Sequence, residues 1–517
     1  MDSSYDVIVV GGGHNALTAA AYLSREGLST LLLERLDHTG GAAVSAEAFS
    51  GTGVRLSRYS YLVSVLPDRV VADLGLDLDL RSRGTASYTP VRRGGRDLGL
   101  LAERPEGAAT AASFREVTGG DTEYTAWQEW YDGVEQLAGV VAPTLTAPLP
   151  RARALSPQTD PSIWRDLVER PVGAALRERF ADDLVRGVVG TDALIGTFAD
   201  LEDPSLVQNR CLLYHLIGNG TGEWRVPVGG MGAVTDALAA AAGAGGTEIR
   251  TGASVTAVTP DGEVTWVEGG TERRARATHV LSGVAPYVLD GLLGDLAPTG
   301  RPAGSQLKIN LLLDRLPRLR SGADPAVAFA GTFHVAESAE ELRTAYSEAA
   351  AGRIPTRPPG ELYCHSLTDP SILGPLAGDG VHTLTYFGLH MSAALFETDR
   401  ERAKQEALGR AIATIDEVLA EPLLDCVRRD RDGRLCIEAK VPQDVEDDLA
   451  MPGGHIFHGD LDWPWADDEE PLDTPARRWG VETGLPGVLV CGSGARRGGA
   501  VSGLGGHNAA MAVLESR

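Results

Sequence analysis

The stretch Val7-Ile8-Val9-Val10-Gly11-Gly12-Gly13-His14-Asn15-Ala16 decides the fold. A β-branched apolar run meets three glycines, and an Ala/Leu-rich segment then reaches Arg25 and stops at Gly27, a residue suited to a helix C-cap. The pattern predicts strand, tight turn, helix. A second apolar run, Leu31 to Leu33, ends on Glu34, 21 residues after Gly13. That is where the dinucleotide-binding βαβ fingerprint places an acid for a ribose hydroxyl. Gly11 permits the sharp turn, Gly13 lets backbone approach a pyrophosphate, and Ala16 lets the helix lie close to the strand. The helix amino end attracts the phosphate charge. With 63 glycines in 517 residues the glycine pattern alone arises by chance about once. Its flanking strand and helix, with Glu34 at the right distance, make it a dinucleotide site. Glu34 favours a free ribose hydroxyl, hence FAD or NAD over NADP.

Outward from this unit, Glu34-Arg35 leads to a second glycine turn, Gly40-Gly41-Ala42-Ala43, which an NAD dehydrogenase does not need. At the other end, Val488 to Val490 reads as a strand, and Gly505-Gly506-His507-Asn508-Ala509 opens a last helix with the same five letters as Gly12 to Ala16. A second fingerprint at Gly230-Met231-Gly232 fails, because Thr235 holds its third position and no acid ends a second strand. This argues against a tightly bound NAD(P)H.

The segments DVIVVGGGHNALTAAAYL, LLERLDHTGGAAVS and SRYSYLVSVLP resemble the phytoene desaturase-like FAD-dependent oxidoreductases. The likeness is greatest to their branch called pyridine nucleotide-disulfide oxidoreductase domain-containing protein 2. It extends through PVGGMGAVTDAL and EIRTGASVTAV (Pro227 to Val258), GGHIFHGDL (Gly453 to Leu461) and LPGVLVCGSGARRGGAVSGLGGHNAA (Leu485 to Ala510), so it runs end to end. The resemblance implies an α/β fold with a discontinuous Rossmann-like FAD-binding domain of the glutathione reductase or amine oxidase type, joined to an α+β substrate domain. It implies non-covalent FAD held by Gly11, Gly13, His14, Asn15, Ala16, Glu34, Arg35, Gly41, Ala42 and Ala43. Val255 would lie on the adenine side, Gly492 on the pyrophosphate or ribityl side, and Ser502 and Asn508 at the last helix. Two helix amino ends would then aim at one ligand, the first at the pyrophosphate and the last at the flavin C2 carbonyl. The alternative is that two glycine turns share letters through composition.

Length is a soft guide to about three domains. Gly-rich strand patterns assign residues 1–70, 222–290 and 478–517 to the cofactor domain, and 71–221 with 291–477 to the substrate domain. Within the latter, residues 70–215 read as helices around a Pro-rich connector, and 291–477 as strands mixed with helices such as Arg400 to Leu419. The formal charge of −24, from 47 basic and 71 acidic residues, opposes nucleic acid and anionic lipid. Five scattered cysteines form no C-x-x-C pair, which fits a reducing, cytoplasmic setting and argues against a thiol-disulfide reductase. The sequence shows no signal peptide and no apolar run long enough to span a membrane. Only three of the basic residues are lysine, a bias that reads as genomic.

Three groups are candidates for the substrate side. His458 lies in G-H-I-F-H-G-D, where His455, His458 and Asp460 have a spacing a metal could accept, but a glycine-flanked loop offers no fixed ligand face and no metal is assigned. Arg496 and Arg497 interrupt the turn expected beside the flavin. One of them would present charge to an acidic substrate or to the flavin, the alternative being a surface ion pair. Tyr61, with Tyr59, would stack on the flavin or wall the pocket, the alternative being core packing. No catalytic side chain is assigned. The expected activity is an FAD-dependent dehydrogenase or desaturase that takes a hydride from a carbon centre of a small molecule, with oxygen or another acceptor reoxidising it. A flavin amine oxidase or isomerase, or a flavin-bearing interaction protein without turnover, remains an alternative. A homo-oligomer stays open.

Overall fold

The computed structural model describes residues 3–295 and 298–517. The predicted opening unit is present as β1 (Ser3–Val10), α1 (His14–Arg25) and β2 (Thr30–Leu33). Far along the chain, α2 (Met231–Ala244) leads to β3 (Glu248–Arg250), β4 (Ala253–Val258), β5 (Glu263–Glu268) and β6 (Thr271–Ser282). The last elements are β7 (Val488–Val490) and α3 (Leu504–Glu515). These strands form one sheet in the order β4-β5-β6-β1-β2-β3, with β7 also beside β6. β1 runs parallel to β6 and β2, and β2 runs parallel to β3. Val7, Ile8 and Val9 are wholly buried, as a central parallel strand covered on both faces requires.

α1 packs against both α2 and α3. Its crossing with α3 is close: a Cβ on Gly506 would fall 1.8 Å from the Asn15 carbonyl oxygen. The two ends of the chain are thereby locked together, and Gly506 is required by that approach.

A second seven-stranded sheet contains, in spatial order, Ile437–Lys440, Leu307–Leu313, His382–Gly388, Gly360–Tyr363, Thr332–Val335, Thr85–Arg93 and Arg96–Glu103. All its pairings are antiparallel except that of Thr332–Val335 with Thr85–Arg93. The hairpin Thr85 to Glu103 corrects the helical reading of residues 70–215. Alternating burial along Arg96–Glu103 and the positive-φ pair Gly94-Gly95 make a two-residue β-turn there. Helices between Ala108 and Ile217 cover this side of the molecule, and their core, including Trp130 and Phe180, is continuous with Tyr61, Tyr363 and Phe387. Among the described residues no helix is long and apolar enough to cross a membrane.

Candidate active site

A cavity of about 1420 Å³, its open mouth included, lies between the two sheets. The first sheet contributes Gly11 to Ala16 and Glu34, and the second glycine turn contributes Gly41 and Ala42. The second sheet supplies Lys308, Phe387 and Lys440 to the facing wall, and Tyr61, His458, Gly492, Ala500 and Val501 complete it. Gly11 has φ +90°, so the turn is of the kind glycine permits. A Cβ on Gly13 would meet nothing within 4 Å, which leaves the backbone at the helix amino end open to an approaching group. Gly12 is restricted for another reason: its Cβ would lie 3.0 Å from Glu34 Oε2. The Gly12 N–H donates to that oxygen at 2.7 Å and the Leu36 N–H donates to Oε1 at 2.8 Å. Each carboxylate oxygen keeps acceptor capacity for a hydroxyl.

Two side chains of the same turn reach across to the far end of the chain. Asn15 Nδ2 donates to the Gly498 carbonyl at 2.8 Å, and His14 Nε2 lies 2.9 Å from the Ala500 carbonyl. Burial pushes the His14 imidazole down to about 4, so it is neutral near pH 7. Asn15 Oδ1 and His458 Nδ1 are buried without a hydrogen-bond partner, and both residues line the cavity. Orphaned buried polar atoms beside an open helix end fit a polar ligand such as a dinucleotide.

The remaining candidates are placed elsewhere. Ala43 is buried behind the wall, its carbonyl accepting from Thr235 Oγ1 at 2.7 Å. Val255 packs with the apolar cluster containing Ile8 and Val10. Arg35 donates to the Asp448 carbonyl at 2.5 Å. Ser502 Oγ accepts from the Leu504 N–H at 3.2 Å, and Asn508 donates to the Leu145 carbonyl at 3.3 Å. None of these five lines the cavity. The structure brings α3 against α1, but it is the preceding residues Ala500 and Val501 that reach the wall. Arg496 pairs with Glu470 at 2.8 Å, the geometry of the ion-pair alternative. Arg497 is buried and donates to the carbonyls of Thr144 and Ala147, each at 2.8 Å, tying the C-terminal loop to the turn Ala142–Thr146. Tyr61 lines the cavity and also meets Tyr363, their ring centroids 4.6 Å apart. His455 and Asp460 lie 3.8 Å apart, whereas His458, at φ +64°, faces the cavity.

Lys308 escaped the sequence reading. Its Nζ donates to the Ser57 carbonyl at 3.1 Å and to the Tyr59 carbonyl, and sits 5.2 Å from the Tyr61 ring centroid. Burial brings this ammonium down to about 7; Lys440 pushes in the same direction and Glu438 opposes. Two of the chain's three lysines thus meet in one cavity. In a sequence that otherwise uses arginine, that scarcity was the available signal.

A second cavity shares Ile195, His215 and Trp224 with the first. Its wall combines the aromatics Trp127, Tyr131 and Tyr363 with the carboxylates Glu103, Glu106, Glu135 and Asp192 and the guanidiniums of Arg83 and Arg104. Burial raises Asp192 to about 6, against the pull of Arg83.

The glycine turn, its acid and the open helix end are those of a dinucleotide-binding βαβ unit. The model of the flavin containing amine oxidoreductase family matches residues 17–407, and the chain belongs to that family. An uncharacterized protein of Mycobacterium tuberculosis is 50% identical over 525 residues, covering 99% of this chain and 97% of its own. Mouse pyridine nucleotide-disulfide oxidoreductase domain-containing protein 2 is 30% identical over 573 residues, covering 99% of this chain and 93% of its own. This agrees with the resemblance drawn from the sequence. Wild-type putrescine oxidase, solved with putrescine bound, superposes with a TM-score of 0.55 at 17% identity over 99% of each chain, so the two chains share a fold.

Proposed function

We propose that the protein is an FAD-dependent oxidoreductase that removes a hydride from a carbon centre of a small, polar organic molecule, with oxygen or another acceptor completing the cycle. The observation that carries this reading is the cavity in which the open Gly13 backbone and Glu34 face Lys308 across a common space. FAD, when bound, supplies a two-electron acceptor at N5. Glu34 would accept from the ribose, the amino end of α1 would bind the pyrophosphate, and Asn15 Oδ1 and His458 Nδ1 would gain partners. The resemblance supports binding without a covalent bond, so acid precipitation should leave FAD in the supernatant.

The chain's own contribution is placement and proton control. Lys308, titrating near 7, is able to take up a proton at Nζ when the substrate loses one. The second cavity, walled by aromatics and carboxylates, suits a small molecule with polar groups better than a long hydrocarbon. Anaerobic bleaching of the flavin against a metabolite panel tests this reading; a flavin that no metabolite bleaches would indicate an interaction protein without turnover. A second reading, amine oxidation, is favoured by four carboxylates against two guanidiniums in that wall. It predicts that bleaching is confined to amines. An isomerase would return product at the redox level of its substrate.

A further inference from the structure

Behind the second cavity lies a group of buried side chains that the flavin chemistry does not use. His334 stands on the strand Thr332–Val335, directly opposite Glu361 in the antiparallel register with Gly360–Tyr363, so their side chains share one face. Ala336, at φ +53°, turns the chain so that Glu337 comes back onto the same imidazole. His334 Nε2 is 3.9 Å from Glu337 Oε2 and 3.9 Å from Glu361 Oε1. One donor atom from each of the three residues lies within 4.8 Å of the other two. Both oxygens of Glu337 and Oε1 of Glu361 have no hydrogen-bond partner, although the two residues are 1% and 0% exposed.

We propose that His334, Glu337 and Glu361 bind one divalent transition-metal cation of the zinc or manganese type. A donor set of one imidazole nitrogen and two carboxylates is that of such ions. Metal–ligand bonds of about 2.0–2.2 Å at a tetrahedral angle put donors about 3.3–3.6 Å apart, so side-chain movements of about an ångström close the site. His334 Nδ1 is already held at 2.7 Å from Thr89 Oγ1, which fixes the ring and leaves Nε2 facing the carboxylates. Charge supports the same conclusion. Glu337, Glu361 and Asp192 are buried in one electrostatic neighbourhood whose buried guanidinium is Arg83, and a divalent ion would offset the excess of negative charge. His334 and Asp192 line the second cavity, which gives the ion an entry path. Tyr363 donates to Glu361 and packs at a tilt against Tyr61, so the ion would sit one aromatic layer behind the first cavity. This inference does not depend on the flavin reading.

The test uses the purified flavoprotein, stripped with a chelator and titrated calorimetrically with Zn²⁺, Mn²⁺ and Mg²⁺. One equivalent of Zn²⁺ or Mn²⁺ should bind per chain and raise Tm, with Mg²⁺ weaker. His334→Ala and Glu361→Gln should each weaken binding by about tenfold or more, and Thr89→Val, which keeps all three ligands, by about tenfold. Far-UV circular dichroism and a cooperative thermal transition report that each variant is folded. If wild-type protein takes up neither Zn²⁺ nor Mn²⁺ saturably, or if folded His334→Ala and Glu361→Gln bind as wild type does, these three side chains hold no ion and the proposal is wrong. Should those two variants fail to fold, the wild-type titration and Thr89→Val decide it.

Discussion

Gly12-Gly13-His14-Asn15-Ala16 and Gly505-Gly506-His507-Asn508-Ala509 are the same five letters, each at a helix amino end, and they do different work. All five residues of the first copy line the cavity between the two sheets, and none of the second does. In the first, the Gly13 Cβ position is open; in the second, the Gly506 Cβ position is occupied by the backbone of α1. Asn15 reaches across to Gly498 and keeps an oxygen free, whereas Asn508 is taken up by His507 and Leu145. One glycine leaves open space at a helix end and its counterpart permits a helix crossing. An identical motif fixes a local conformation; what that conformation faces is set by the rest of the chain.

The contrast can be broken most sharply by giving both glycines a methyl group. Gly506→Ala should cost about 3 kcal/mol or more in unfolding free energy, since the methyl has no space at the α1 crossing. Gly13→Ala should leave stability within about 1 kcal/mol, because its φ is ordinary and its Cβ enters open space, yet abolish FAD retention on gel filtration. If the two variants behave alike, the division of labour is wrong.

Lys308→Met should lower the rate of anaerobic flavin reduction by about 100-fold. In the wild type the neutral amine grows as pH rises through about 7, so that rate should climb across the same interval and be flat in the variant. The histidines of the two motif copies should behave alike in acid. Burial lowers His14 and His507 from 6.5 to about 4, so the unfolded chain takes up their protons first, and stability present above pH 6.5 is lost as pH falls towards 4. His14→Gln and His507→Gln should each flatten that loss in urea titrations, while only the former disturbs FAD. The smallest effect belongs to Arg496→Ala, which breaks a partly exposed pair with Glu470 and should change stability by less than about 1 kcal/mol and leave the flavin potential unmoved.

The sequence made the βαβ unit legible because strand, turn and helix there are consecutive, and each signal is local. It also pointed to both chain ends lying in one cofactor domain. The hairpin Thr85 to Glu103 was missed because short alternating strands are outweighed by the helical patterns around them. Arg496 and Arg497 were conspicuous by charge, but their ion pair and carbonyl partners come from residues 18 to 353 positions away. Lys308 gave no motif, since its meaning comes from burial beside Ser57, Tyr59 and Tyr61. His334, Glu337 and Glu361 lack a metal spacing, because a cross-strand register and a left-handed residue bring them together.

From the amino-acid order alone came the dinucleotide turn, its acid and the discontinuous α/β plan, since these rest on periodicity and on glycine's tolerance of positive φ. Which copy of the repeated motif faces the cavity, which lysine is stripped of water and which carboxylates lose their partners were decided by tertiary packing. Burial and distance across hundreds of residues are properties of the folded chain, and no local window of the sequence contains them.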